Sequence, residues 1–165
     1  MNHFNETEVP TDYFFNMLPT SFNSNTGRLV IDKDYINYGK HTVHIKTLHN
    51  TVYINKNIVC VSCGMIGKYF KLKKRDNKTS FIFQLCGEKE IGNQVKQIIF
   101  TLDHLIPVSR GGTNSISNLQ PMCYSCNNKK NDDIVYDHYK LSNYWQEIFQ
   151  MKSYIATQMK NGYIL

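Results

Sequence analysis

Four of the chain's five cysteines fall into two short pairs, Cys60-x2-Cys63 and Cys123-x2-Cys126, with 59 residues between the pairs. Two intervening residues let both thiolates of a pair turn toward one ion, and two such pairs complete a tetrahedral site with no open position. A closed four-thiolate site suits zinc, and suits structure rather than catalysis. The long gap means that one zinc ion per chain ties together distant segments. The fifth, Cys86, ends an apolar run and reads as a small buried hydrophobe. A chain of 165 residues with 41% hydrophobic content buries a core without needing disulfides. It holds no stretch of about 18 apolar residues that would cross a membrane. The start, MNHFNETEVPTDYFF, lacks a basic segment followed by an apolar run, so no export signal is expected. The expected setting is therefore a reducing cytoplasm, where paired cysteines hold metal more often than disulfides.

The net charge of +6 points to a polyanionic partner. Its distribution is uneven. Residues 60–130 hold 11 Lys and Arg against four acids, which is +7, so the rest of the chain carries −1. The surplus sits between and around the cysteine pairs. Lys73, Lys74 and Arg75 form its densest run and are expected phosphate contacts.

Residues 1–59 read as an extension. Pro10 and Pro19 break an irregular arm up to about residue 27, which docks through Phe14, Phe15 and Leu18. Thr42–Lys46 and Thr51–Ile54 alternate and are predicted as strands. The same alternation accounts for His41, His44 and His49 better than metal binding does. Lys71–Lys78 is a charged hairpin with Ser80–Leu85 as its returning strand. Gln97–Leu102 is a further strand running into Asp103-His104, and Leu119–Met122 is a short run before the second cysteine pair. Leu141, Tyr144, Trp145, Ile148, Met151, Ile155 and Met159 recur at helical spacing and predict an amphipathic helix over 138–160.

Between the cysteine pairs lies a second constellation: Asp103-His104, then Arg110-Gly111-Gly112-Thr113-Asn114, Asn118-Leu119 and Asn127-Asn128-Lys129-Lys130. It brings a carboxylate, an imidazole, amides and cations into a short span. Carboxylate and amide oxygens are hard ligands for Mg²⁺ or Mn²⁺. A neutral imidazole takes a proton from water near pH 7, and Lys and Arg hold phosphates. These are the parts of metal-assisted phosphodiester hydrolysis. The run DHLIPVSRGGTNSISNLQPMCYSCNNKK resembles the HNH endonuclease family, the ββα-metal nucleases, in the form framed by two zinc-binding cysteine pairs. The resemblance spans residues 60–130 and is densest over 103–130, with a phage-like character.

The resemblance implies an α+β fold. A zinc-stapled ββα-metal core occupies 60–137, after the 1–59 extension and before a helix in 138–165 that packs on it. Asp103 resembles the metal-binding aspartate, His104 the general base, and Asn118 the asparagine that braces the loop and aims the histidine. Asn127 stands at the second metal-ligand position, often His in the family. An asparagine oxygen there favours Mg²⁺ or Mn²⁺; a helix cap is the plainer reading of the same residue. Lys130 matches a lysine three residues on, and Asn131 stands where glycine is usual. Arg110 and Lys130 are expected phosphate contacts. The implied partner is double-stranded DNA, in the host cytoplasm if the chain is phage-encoded, and a double-strand cut needs a homodimer or two nicks. Two readings stand beside this one: a zinc-stapled nucleic-acid-binding module without catalysis, and a nuclease for RNA or branched DNA.

Overall fold

The structure, a computed structural model, describes residues 7–76 and 78–132; the helix expected over 138–160 lies outside the described residues. The chain opens with β1 (Glu8–Pro10), α1 (Thr11–Met17), β2 (Thr20–Asn23), β3 (Arg28–Ile31), β4 (Tyr35–Tyr38), β5 (His41–His44) and α2 (Thr47–Asn55). It continues with β6 (Tyr69–Lys74), β7 (Phe81–Ile91), β8 (Gln94–His104), β9 (Leu119–Cys123) and α3 (Tyr124–Lys130). Seven strands share one sheet, and β2 pairs with β3 apart from it. No described helix is long and apolar enough to cross a membrane.

The sheet is organised around β7. One edge of β7 takes β6 along Phe81–Cys86, in antiparallel register from Lys74↔Phe81 to Tyr69↔Cys86. Its other edge is divided. β8 pairs antiparallel from Cys86↔Ile99 to Ile91↔Gln94, while β5 pairs parallel at Val43↔Phe81 and His44↔Ile82. β8 therefore leaves β7 halfway and pairs with β9 instead, from Phe100↔Cys123 to His104↔Leu119. The Gln84 side chain bridges the parting strands, its Nε2 donating to the Phe100 carbonyl at 2.7 Å. This satisfies a backbone acceptor that would otherwise lose its ladder partner.

Over its described residues, 7–27, the arm expected to be irregular carries a helix and two strands. β1 pairs with β6, and α1 drops Phe14 onto the core, stacked on Phe70 with centroids 3.7 Å apart. Phe14 and Leu18 are buried with Val43, Phe83, Leu85, Phe100 and Met122 in a single apolar cluster. Thr51–Ile54, expected as a strand, lies in α2, and His49 sits on that helix too. Long-range contacts outweigh the local β preference of these residues. Asn50 to Tyr53 are all buried, and the Asn55 amide bonds both backbone groups of Leu29 as a strand partner would. Lys56, just past the helix, donates to the Leu119 carbonyl at 2.6 Å. The expected strands at 42–46, 80–85 and 97–102 fall within or overlap β5, β7 and β8, and the charged hairpin joins β6 to β7.

Candidate active site

Two tight turns bring the four paired cysteines together. The Gly64 N–H returns to the Cys60 carbonyl at 2.9 Å, and Val61 N–H reaches the Pro121 carbonyl across the gap between the pairs. Cys123 ends β9 and Cys126 lies in the first turn of α3. The four Sγ atoms all lie within 4.8 Å of one another, and Cys63 Sγ is 3.9 Å from Cys123 Sγ. Zinc–sulfur bonds in a regular tetrahedron put the sulfurs about 3.8 Å apart, so the cluster fits a zinc ion. Burial pushes the Cys60 thiol up to about 11, and pushes Cys123 up as well. At Cys126 burial acts the same way, but hydrogen bonds with Ser62 and the other three cysteines outweigh it and the thiol goes down. A bound cation reverses the cost of burying thiolates. Cys86 is buried away from this cluster and pairs with Gln97 Nε2 at 3.1 Å.

The end of β8, the loop after it and α3 border a cavity of about 190 Å³, lined by Asp103, His104, Asn127, Lys130 and their neighbours. β8 delivers Asp103 inward and His104 at its terminus, and α3 delivers Asn127 and Lys130 one turn apart. The Asp103 carboxylate is buried and held from two sides. Lys130 Nζ donates to Oδ1 at 2.9 Å, and Gln120 Nε2 donates to Oδ2 at 2.7 Å. Lys130 also donates to the His104 carbonyl at 2.9 Å. Both members of the ion pair have side chains only 4% exposed. Lys130 was expected on phosphate; its ammonium instead sits against the carboxylate, at the wall of the same cavity.

Asn118 ties the loop after β8 to itself. Its Oδ1 accepts from Ile106 N–H at 2.9 Å, and its Nδ2 donates to the carbonyls of Ile106 and Thr113 at 3.0 and 2.9 Å. The loop closes so tightly over this amide that a Cβ on Gly112 would collide with the Ile106 carbonyl. Gly111 meets a different demand, a left-handed backbone at φ 86° that ends the 3-10 turn Val108–Arg110. The same loop places Asn114 Oδ1 2.8 Å from His104 Nε2. An amide oxygen only accepts, so Nε2 carries a hydrogen, and in the neutral ring the lone pair is then on Nδ1.

Asn127 lies in the second turn of α3, behind Cys123 at the N-cap, so it does not cap the helix. Its Nδ2 donates to Thr101 Oγ1 at 2.9 Å and, more weakly, to the Leu102 carbonyl. Among the described residues its Oδ1 takes no hydrogen bond. An ionised carboxylate offers about four acceptor positions, of which Gln120 and Lys130 use two. Asp103 and Asn127 both line the cavity, and carboxylate and amide oxygens suit a divalent cation of the Mg²⁺ type, which keeps most of its water. Asn131 follows with φ 53°, taking up the positive-φ backbone that glycine takes most readily. Arg110 is exposed on the loop, Lys73 and Lys74 are exposed on β6, and Arg75 is half-buried beyond it.

Sequence reasoning missed Asn114 and Gln120 as partners of His104 and Asp103. Both sit inside the motif run, but Gln120 faces the carboxylate only through the Asp103↔Gln120 register of β8 and β9. In comparison with known proteins, residues 84–133 match the family model of the HNH endonucleases. The match includes the whole cavity and the second cysteine pair, and it implies a nuclease acting on nucleic acid. No curated protein and no solved structure matches the chain.

Proposed function

We propose that the chain is a metal-dependent endonuclease that hydrolyses DNA phosphodiester bonds, with His104 as general base. The observation that carries this reading is the convergence of Asp103, His104 and Asn127 on one cavity inside the segment that matches the HNH model. Asp103 and Asn127 would hold a Mg²⁺ or Mn²⁺ ion, which when bound supplies Lewis acidity at the phosphate. The remaining chemistry belongs to the chain. His104 Nδ1, left basic by the hydrogen bond from Nε2 to Asn114, takes a proton from the attacking water. Asn118 and Gly112 fix the loop that holds Asn114 in place, so the imidazole is oriented before substrate arrives. Gln120 and Lys130 hold the Asp103 carboxylate in one rotamer, and Lys130 balances its charge. The four cysteines hold a zinc ion that anchors β9 and α3, and so positions Asn127. Arg110, Lys73, Lys74 and Arg75 supply positive charge for the DNA backbone.

The test is nicking of supercoiled plasmid with Mg²⁺ or Mn²⁺ present, compared with metal-free buffer and with His104→Ala. Metal-dependent nicking lost in His104→Ala supports the reading. Tight DNA binding with no cleavage under any divalent ion would leave a zinc-stapled binding module in its place.

A further inference from the structure

A second concavity, of about 550 Å³, opens between the β4–β5 hairpin and the β6–β7 hairpin. Its walls carry Lys40, Arg75 and Lys78 together with the rings of Tyr35, His41 and Phe81. The rings are organised: His41 lies 4.2 Å from Phe81 between centroids, and Tyr35 meets His44 edge-on at 5.0 Å. Tyr35 is nevertheless half exposed. Lys46 and Lys73 add charge close by: burial first, then Lys73 and Arg75, hold the Lys46 ammonium below its usual range. Among the described residues, none of Lys40, Lys46, Lys73, Arg75 and Lys78 forms an ion pair; the pairs present involve Lys68, Lys71 and Lys130. Positive charge outside ion pairs, around one exposed tyrosine ring backed by two half-buried rings, suits an anion with aromatic faces.

Sheet register relates this cleft to the active site. β7 starts at Phe81, and β8, antiparallel to it, ends at His104. β5 runs parallel to β7 with Val43 beside Phe81, so His41 and Lys40 lie beyond the start of β7. Lys74 pairs with Phe81, which puts Arg75 there as well. By strand direction, the start of β7 beside the cleft and the His104 end of β8 lie toward the same end of the sheet.

We propose that this cleft binds an unpaired DNA strand, with phosphates on Lys40, Arg75 and Lys78 and bases on the ring of Tyr35 and its neighbours. In a duplex the base faces are stacked away and only groove edges and backbone are offered. An unpaired strand offers phosphates and ring faces together, the combination that aromatic-lined basic grooves bind. The volume lies in the range of about 300–1,000 Å³ that suits a ligand of nucleotide size. The substrate is then DNA with a single-stranded segment beside the cleavage point, such as a flap or branch; this last step rests on the nuclease reading above, while the cleft itself does not.

The experiment is fluorescence anisotropy of the full chain with short labelled oligothymidylate and with a blunt duplex of equal length. Tyr35→Ala should weaken oligothymidylate binding about tenfold, the loss of roughly one base–aromatic stack, and change duplex binding less than about twofold. Lys40→Glu should weaken the unpaired strand more than the duplex. Equal losses on both ligands, or no effect of Tyr35→Ala, would overturn the proposal, leaving a basic patch without stacking. Tighter binding of oligouridylate would overturn the assignment to DNA. Plasmid nicking by the same preparation separates the two readings. Nicking without oligothymidylate binding removes the cleft alone. Tyr35-dependent binding with no metal-dependent cleavage of either plasmid or a flapped duplex supports the cleft and removes the nuclease.

Discussion

Cys126 and Asn127 are consecutive on α3, yet one belongs to a closed cluster of four thiols and the other lines an open cavity among oxygens and an imidazole. The cysteine cluster uses soft ligands from two turns far apart in the chain and leaves no position for substrate. The cavity draws its polar side chains from β8, from α3 and from Asn131 just past α3, and keeps acceptor positions unfilled. One end of this small unit is built to stay shut and the other to take something in. If the division is sound, damage at the first should cost folding and damage at the second should cost rate.

The largest effect is expected at the cysteines. Cys63→Ser or Cys126→Ser should remove a term on the order of 10 kcal/mol of apparent metal-binding free energy and leave the chain unfolded. Elemental analysis should find one zinc per wild-type chain. A folded, metal-free protein with full activity would erase the distinction. At the open end, His104→Ala should lower single-turnover cleavage by about 10²–10⁴-fold while the melting temperature and zinc content hold. A rate within a tenth of wild type, as an order of magnitude, would exclude His104 as the base.

Lys130→Met tests whether the open end is free of structural duty. The change leaves the Asp103 carboxylate buried with only Gln120 as partner, and should cost about 3–5 kcal/mol in urea unfolding. A cost below about 1 kcal/mol would mean that the carboxylate finds charge compensation elsewhere. Asn127→Ala should raise the Mg²⁺ concentration needed for cleavage and lower the saturated rate, whereas Asn127→Asp should keep or tighten metal affinity. Unchanged metal titrations in both variants would move the ligand role to another residue, Asn128 first. The smallest effect is expected at Asn131→Gly, which relieves a positive φ and should stabilise the fold by about 1 kcal/mol in thermal melts.

The same contrast explains what the sequence disclosed. Cysteine spacing, the Asp103-His104 pair and the glycines of the loop are local patterns, because tight turns and a two-residue gap are set by near neighbours. Gln120 carries no such signature, since its meeting with Asp103 follows from strand register. The helix at Thr47–Asn55 was misread because Thr51, Val52 and Ile54 favour strands, while Leu29 and Leu119, which hold its end, are far away in sequence. The parallel pairing of β5 with β7 was equally unreadable, joining residues nearly forty positions apart. The brace role of Asn118 was implied by the family resemblance alone; the partners of its amide, Ile106 and Thr113, lie within its own loop.

That division of β7's second edge also sets an order of assembly during synthesis. β1 has no partner until β6 exists, and β5 has nothing to lie against but β4 until Phe81 and Ile82 have left the ribosome. The β6–β7 hairpin forms from neighbouring residues, and contacts closed over short loops come first. The first third of the chain therefore waits, apolar side chains uncovered, for the middle to arrive. The last cysteine pair emerges later still, so the newborn protein passes through an interval in which most of the sheet is made while the four-cysteine cluster lacks two of its thiols and the cavity lacks Asn127 and Lys130.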